Sequence, residues 1–224
     1  YLIITGANLP MTRTPDAHFA TEVRYKGAKI VSMAPDYAEY VKFADLWMPV
    51  RQGTDTAAFL AMGHVALKEY FIDRQDDYFL EYARKYTDMP MQVMLRRHGE
   101  NWVSDRNLRA SDFVDNLGEA NNPEWKTVVF DSKRQTYVVP NGSIGFRWGE
   151  DGKWNLLEQA AGGEIEAELS CIERRNGVVS VGFPHFENGE STLIQRNVPA
   201  RVIKLANGEE AMVTSVFDLQ IAQY

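Results

Sequence analysis

Three short apolar runs near the start, "YLIIT", "AKIVSM" and "LWMPV", are separated by intervals that carry helix signals, and this spacing constrains the fold most. Between the first two, "TPDAHFATEVRY" offers Thr14 as N-cap, Pro15 at the first helical position and Asp16 at the positive helix end. Phe19, Ala20 and Val23 share one helical face, and Gly27 is placed to end the helix. A strand, a crossover helix and a second strand of this length fit a right-handed βαβ unit with a parallel strand pair. "PDYAEYVKFA" then reads as a short helix before the third run.

After the turn "QGTD", the stretch "TDTAAFLAMGHVALKEYF" predicts the strongest helix of the chain. Thr54 or Asp55 would cap it, and Phe59, Met62, Val65 and Ala66 recur at helical spacing. "DDYFLEYARKY" predicts an amphipathic helix with Tyr78, Phe79, Tyr82 and Tyr86 inward.

From about residue 100 the pattern changes. After a short helix candidate, "SDFVDNLG", turn signals recur: Asn141-Gly142, "EDG" at 150–152, "RNG" at 175–177, "ENG" at 187–189 and "ANG" at 206–208. Between them lie β-rich runs such as "TVVF", "TYVV", "GVVSVGF", "RVIKL" and "AMVTSVFDL". The expected class is therefore α/β. A parallel-sheet, nucleotide-binding-like part would span residues 1–98. A β-rich antiparallel meander would span 99–224, packed on or inserted beside the first part.

Composition narrows the function classes. A net charge of −7 argues against a nucleic-acid footprint, which needs a basic face. No apolar run approaches the ~20 residues that span a bilayer, and no signal-peptide pattern is present. The single cysteine, Cys171, excludes an internal disulfide and any cysteine-built metal site; in "AELSCIE" it reads as a half-buried strand thiol. The chain opens at Tyr1 on a core-like strand, which reads as a piece of a longer protein.

In an open parallel sheet, ligands settle at the carboxyl ends of the strands. Residues 6–13, 32–37 and 51–55 fall there, and two of these segments precede helix N-termini, which favour anions. Asp36 and Asp55 are placed to accept hydrogen bonds from a ribose hydroxyl or a guanine edge. The bland alternative is that these residues are helix caps and turn formers. The dinucleotide fingerprint G-x-G-x-x-G is absent, so a nicotinamide site is not expected. His18, His64, His98 and His185 are scattered, and Trp102, Trp125, Trp148 and Trp154 read as lids over the core of the β-rich half. No nucleophile–base pair or metal-ligand spacing appears, so neither a catalytic nor a metal-ligating residue is assigned.

Several stretches carry a resemblance: "NLPMTRTPDAHFATEVRYKGAK", "PDYAEYVKFADLW", "QGTDTAAFLAMGHV", "YTDMPM", "LRASDFV", "NNPEWKTV", "NGSIGFRWGEDGKWNL", "VGFPHF" and "NGEEAMVTSVFDLQIAQY". Together they resemble an internal part of the large alpha subunits of the nitrate reductase branch of the dimethyl sulfoxide reductase family of molybdenum enzymes. That resemblance implies a bis(molybdopterin guanine dinucleotide) cofactor, with this sheet gripping one guanine nucleotide. By position, Gly6 and Asn8 would fall on the phosphate-facing turn and Asp36 near ribose. Gly53, Thr54 and Asp55 would form the guanine-reading turn. Two positions depart from the pattern: Thr5 stands where relatives often carry Trp, and Ala34 where the wider family often has Asp before Pro.

The resemblance also implies that a 4Fe-4S cluster and the aspartate that binds molybdenum are held N-terminal to this region. The isolated fragment would then bind no cofactor and reduce no nitrate. Its implied partners are the rest of the alpha subunit, an iron–sulfur beta subunit and a membrane-embedded gamma subunit, at the cytoplasmic face of the cell membrane. Related chlorate, perchlorate and selenate reductases would share the cradle. The competing reading is a non-catalytic interaction module whose β-rich half presents a partner-binding face.

Overall fold

The computed structural model describes residues 1–37, 39–141, 158–173, 175–187 and 190–224, the side chains of 39, 173, 185–187, 190 and 191 aside. Gly142, the turn at 150–152, Trp148 and Trp154 lie outside the described residues, as does the side chain of His185. The chain forms two compact units, Tyr1–Gly63 and His64–Tyr224.

In the first unit β1 (Leu2–Thr5) is followed by α1 (Leu9–Thr12) and α2 (Thr14–Tyr25). Then come β2 (Ile30–Met33), a 3-10 turn at Glu39–Phe43 and β3 (Leu46–Met48). The three strands form one parallel sheet in the order β1-β2-β3, as the spacing of the apolar runs requires. Ile4, Ile30, Ala34, Tyr40 and Val41 are buried together on one face, with Leu9 and Trp47 against them. The Asp45 carboxylate accepts the Ile30 amide at 2.9 Å and the Arg24 guanidinium at 3.4 Å, which fixes the start of β2 against α2 and β3. Pro15 falls in the first turn of α2, as expected, but the capping position belongs to Arg13 and carries no side-chain cap bond.

α3 (Asp55–Leu67) begins in this unit and runs into the second, where a π-helical turn, Lys68–Asp73, extends it. Phe59 and Val65 are exposed and Leu67 is buried. "AAFLAMGHVAL" is apolar nearly all round, so its periodicity did not define a buried face.

The second unit holds α4 (Asp77–Tyr86), capped by Asp76, whose carboxylate accepts the Phe79 amide at 3.1 Å. Its inward face is Phe79, Leu80 and Ala83, packed with Leu67, Leu169 and Phe217. Tyr78, Tyr82 and Tyr86 were expected inward and are instead exposed, Tyr78 at 77%. They stand one turn apart on the flank of the helix, with ring centroids 6.4 and 5.1 Å apart.

β4 (Gln92–His98) and β5 (Asn101–Asn107) form a hairpin. β6 (Val129–Asp131) and β7 (Thr136–Val138) form a second, and the two-residue strands β8 (Gln159–Ala160) and β9 (Gly163–Glu164) a third. β10 (Gly177–Glu187), β11 (Glu190–Lys204) and β12 (Glu210–Ser215) follow, and α5 (Val216–Gln223) ends the chain. The β-rich half has the expected antiparallel hairpins, and β10-β11-β12-β4-β5 also close into a barrel. Closure joins β12 to β4 antiparallel and β5 to β10 parallel, the latter through Val181 and Trp102. β4 belongs to the barrel of the second unit, which begins at His64.

Leu95, Val181, Val198 and Ala200 form one core of this unit; Leu108, Val128, Val139, Ile203 and Val213 belong to another. Cys171 sits in a 3-10 turn, Cys171–Glu173, fully buried rather than half-buried on a strand. Trp102 packs against the first of these cores with the Arg97 guanidinium 4.2 Å from its ring centre, whereas Trp125 is 62% exposed. No described helix is long and apolar enough to cross a membrane.

Candidate functional site

The parallel sheet ends level: Thr5 pairs with Met33, and Met33 with Met48. Two further backbone bonds carry the pairing past the strand ends, from the Gly6 amide to the Met33 carbonyl and from the Ala34 amide to the Met48 carbonyl, each 3.1 Å. The loops that leave β1, β2 and β3 therefore start side by side at one edge. All six residues singled out in the sequence, Gly6, Asn8, Asp36, Gly53, Thr54 and Asp55, lie in those loops or at the helix start that follows.

Gly6 has φ +59°, and a Cβ built on it would meet nothing within 4 Å. Asn8 stands at the capping position of α1, yet its side chain makes no cap bond and its Oδ1 is buried without a hydrogen-bond partner. A capping Asn normally accepts from the first-turn amides. Here its amide group, in either orientation, remains available to a ligand.

After β2 the chain turns outward. Ala34 is buried in the core, and Pro35, Asp36 and Tyr37 are exposed. Burial pushes the Tyr40 phenol up, and the Asp36 carboxylate adds to the shift as a neighbouring charge and hydrogen-bond acceptor. Tyr37 lies edge-to-face with Trp47 at a centroid distance of 5.3 Å, and Trp47 Nε1 donates to the Ala34 carbonyl at 3.0 Å.

After β3, the Thr54 amide donates to the Arg51 carbonyl at 3.1 Å, and Thr54 Oγ1 donates to the same oxygen at 2.7 Å. Gly53 occupies the third position of this turn at φ +79°, a conformation glycine adopts at least cost. Asp55 is the first residue of α3, so Thr54 takes the capping position; the Asp55 carboxylate is exposed and has no hydrogen bond or ion pair among the described residues.

One edge thus carries two open glycine-bearing turns, an unpartnered amide, two carboxylates and an exposed ring. Such a set can cradle a phosphate on backbone, accept from a ribose, and accept from the edge of a purine. At this edge the Asn8 side-chain amide is the polar group that the fold leaves unpaired, and the space over Gly6 is open to a ligand.

The other sequence candidates are not brought to this edge. His18 is exposed on α2 and pairs with Glu22 at 3.0 Å, and His64 and His98 are exposed elsewhere. Among the described residues, no group of three or more His, Cys, Asp or Glu is placed to hold a metal ion. The sequence reading did not single out Tyr37 and Trp47 individually; a ring four residues beyond the end of the central strand was the available signal.

Comparison with known proteins supplies the family. The model of the family described as "Molybdopterin oxidoreductase" matches residues 1–203. The "Respiratory nitrate reductase 1 alpha chain" of Escherichia coli K12 is 50% identical over 236 aligned residues, covering 100% of this chain and 19% of its own length. The "Nitrate reductase alpha chain" of Bacillus subtilis 168 is 41% identical over 227, covering 100% and 18%. The "Perchlorate reductase subunit alpha" of Dechloromonas aromatica is 34% identical over 145, covering 65% and 14%. The chain thus spans about a fifth of the length of these curated relatives. On the family match and these identities, the chain belongs to the molybdopterin oxidoreductase family.

Proposed function

We propose that this chain is part of the catalytic subunit of a nitrate reductase and forms the cradle for one guanine nucleotide of its molybdenum cofactor. The carrying observation is Asn8: a residue at the capping position whose side chain makes no cap bond, so that its amide can be turned to donate N–H to a phosphate on the turn beside the sheet edge. In this reading the turn at Gly6–Asn8 holds phosphate, Asp36 accepts from ribose, and the Gly53–Asp55 turn reads the guanine edge. Nitrate is favoured over perchlorate because the nitrate reductases match over the full chain at 50% and 41% identity. The perchlorate relative matches at 34% over 65% of the chain.

When bound, the molybdenum centre would supply the oxygen-atom chemistry. The residues here would bind and orient its nucleotide end. A 4Fe-4S cluster, the remainder of an alpha subunit, and iron–sulfur and membrane-embedded partner subunits at the cytoplasmic membrane face belong to the same proposal. They are inherited through the relatives named alpha chains.

The test is Asp55→Asn in the full-length protein. A charge-assisted acceptor contributes roughly 1.5–3 kcal/mol, so losing it should weaken cofactor retention about 10- to 100-fold with little change in melting temperature. Full molybdenum and guanine content under competition or dialysis would reduce Asp55 to a helix-terminal residue, since Asn and Asp serve helix starts equally.

A further inference from the structure

The loop after β2 offers a feature that the cradle reading leaves unused. Ala34 is buried, so no side chain reaches the crevice there, and Asp36 is engaged with Tyr40. Tyr37 remains 67% exposed in the loop that leaves the central strand. An exposed tyrosine alone would need no explanation. This one is held: its ring meets Trp47 at an interplanar angle of 82°, Trp47 packs against the core of the sheet, and the Trp47 indole N–H is fixed on the Ala34 carbonyl. A ring oriented in advance loses little freedom when a flat ligand settles on it.

We propose that Tyr37, buttressed by Trp47, is the stacking platform for the purine of the bound nucleotide. This rests on the cradle reading and adds what edge-reading groups cannot supply. Asp55 would accept in the plane of the base, whereas Tyr37 would cover its face and exclude water from one side. Trp47 is then a positioning residue, acting through Tyr37.

The experiment uses the full-length protein loaded with its cofactor. The loss of guanine nucleotide in sub-denaturing urea is followed as GMP released by acid hydrolysis of the protein-bound fraction. Base–aromatic stacking predicts that Tyr37→Ala loses nucleotide about tenfold faster than the parent or more, while Tyr37→Phe, which keeps the ring, matches the parent. Trp47→Leu should fall between them. The melting temperature of the cofactor-free protein should not move with Tyr37→Ala, since the ring is exposed. If Tyr37→Ala retains nucleotide at the parental rate while Asn8→Ala or Asp55→Asn loses it quickly, stacking is overturned and the cradle stands. If all three retain it at the parental rate, the cradle reading fails as well. Equal loss from Tyr37→Phe and Tyr37→Ala would assign the effect to the hydroxyl and also overturn stacking.

Discussion

The buried Asp218 carboxylate accepts the Cys171 amide at 2.7 Å, joining the first turn of α5 to a 3-10 turn far earlier in the chain. Its other oxygen accepts Ser170 Oγ at 2.6 Å, and its own amide donates to Ser215 Oγ at 3.0 Å. Removing the carboxylate strands a buried N–H and a hydroxyl. Asp218→Ala should therefore cost about 2–3 kcal/mol in urea unfolding. Asp218→Asn, which can accept from the amide and donate to the hydroxyl, should cost less than about 1 kcal/mol. Equal losses for the two variants would contradict this account.

The same group sets a pH dependence. Burial pushes the Asp218 carboxyl up, against hydrogen bonds from Ser170, Cys171 and Ser215 that pull it down. The folded state then binds the proton more tightly than the unfolded one. Its contribution is present in full below the ordinary value of 3.8 and is lost as pH rises through the higher folded value. Asp218→Asn should flatten the stability–pH curve in that window. An unchanged slope would assign the dependence to other groups.

Cys171 should be chemically silent. Its thiol is buried, and burial, with the nearby Asp218 charge, pushes it up to about 12. Since the thiolate is the reactive form, the folded chain should resist alkylation at pH 8 and label fully in urea. Rapid native labelling seen by mass spectrometry would mean that this turn opens.

Asp112 should make the start of its 3-10 turn acid-sensitive. Burial pushes its carboxyl up, but Arg106 Nη1 and Nη2 donate to it at 2.7 and 2.6 Å, and the Arg109 amide adds a third bond at 2.8 Å. The net shift is downward. Its stabilisation is present above the ordinary value of 3.8 and is lost as pH falls through the lower folded value. Asp112→Asn should cost roughly 1–2 kcal/mol near neutral pH, and that difference should vanish in strong acid. A pH-independent difference would argue against the pair.

Two helix starts separate capping from ligand binding. Ser215→Ala removes a cap bond to α5 and should cost about 1 kcal/mol. Asn8→Ala removes no bond and should leave thermal stability within about 0.5 kcal/mol, while impairing nucleotide retention in the full-length protein. A stability loss at Asn8 as large as that at Ser215 would identify Asn8 as a structural cap.

Where local rules act alone, the sequence was legible. The βαβ spacing placed β1, β2 and α2, and the signal at 206–208 marks the hairpin between β11 and β12, with Gly208 at φ +86°. The misreadings arose where tertiary context decides. Tyr78, Tyr82 and Tyr86 satisfy a helical period as well as Phe79 and Ala83 do, and the positions of Leu67, Leu169 and Phe217 select the inner face. "AMVTSVFDL" reads as one strand, yet Ser215 caps a helix at Val216 and divides it. Barrel closure depends on pairings such as Val181 with Trp102, which no local signal encodes. At the site, the glycines and carboxylates were legible as residue types. The idle Asn8 side chain and the Tyr37–Trp47 pair required coordinates.

The barrel's closing seam has a consequence for biosynthesis. β4 pairs with β12 through Gln92 and Ser215, so its partner emerges from the ribosome about 120 residues later. At about 5–20 residues per second, the β4 edge of the hairpin waits roughly 6–25 s for β12, while the β5 edge meets β10 about 80 residues after Trp102. Loop closure over such distances is slow in any case. For that interval the nascent chain presents the β4 edge to any neighbour. Its assembly therefore favours an escort that shields backbone until the final strand arrives.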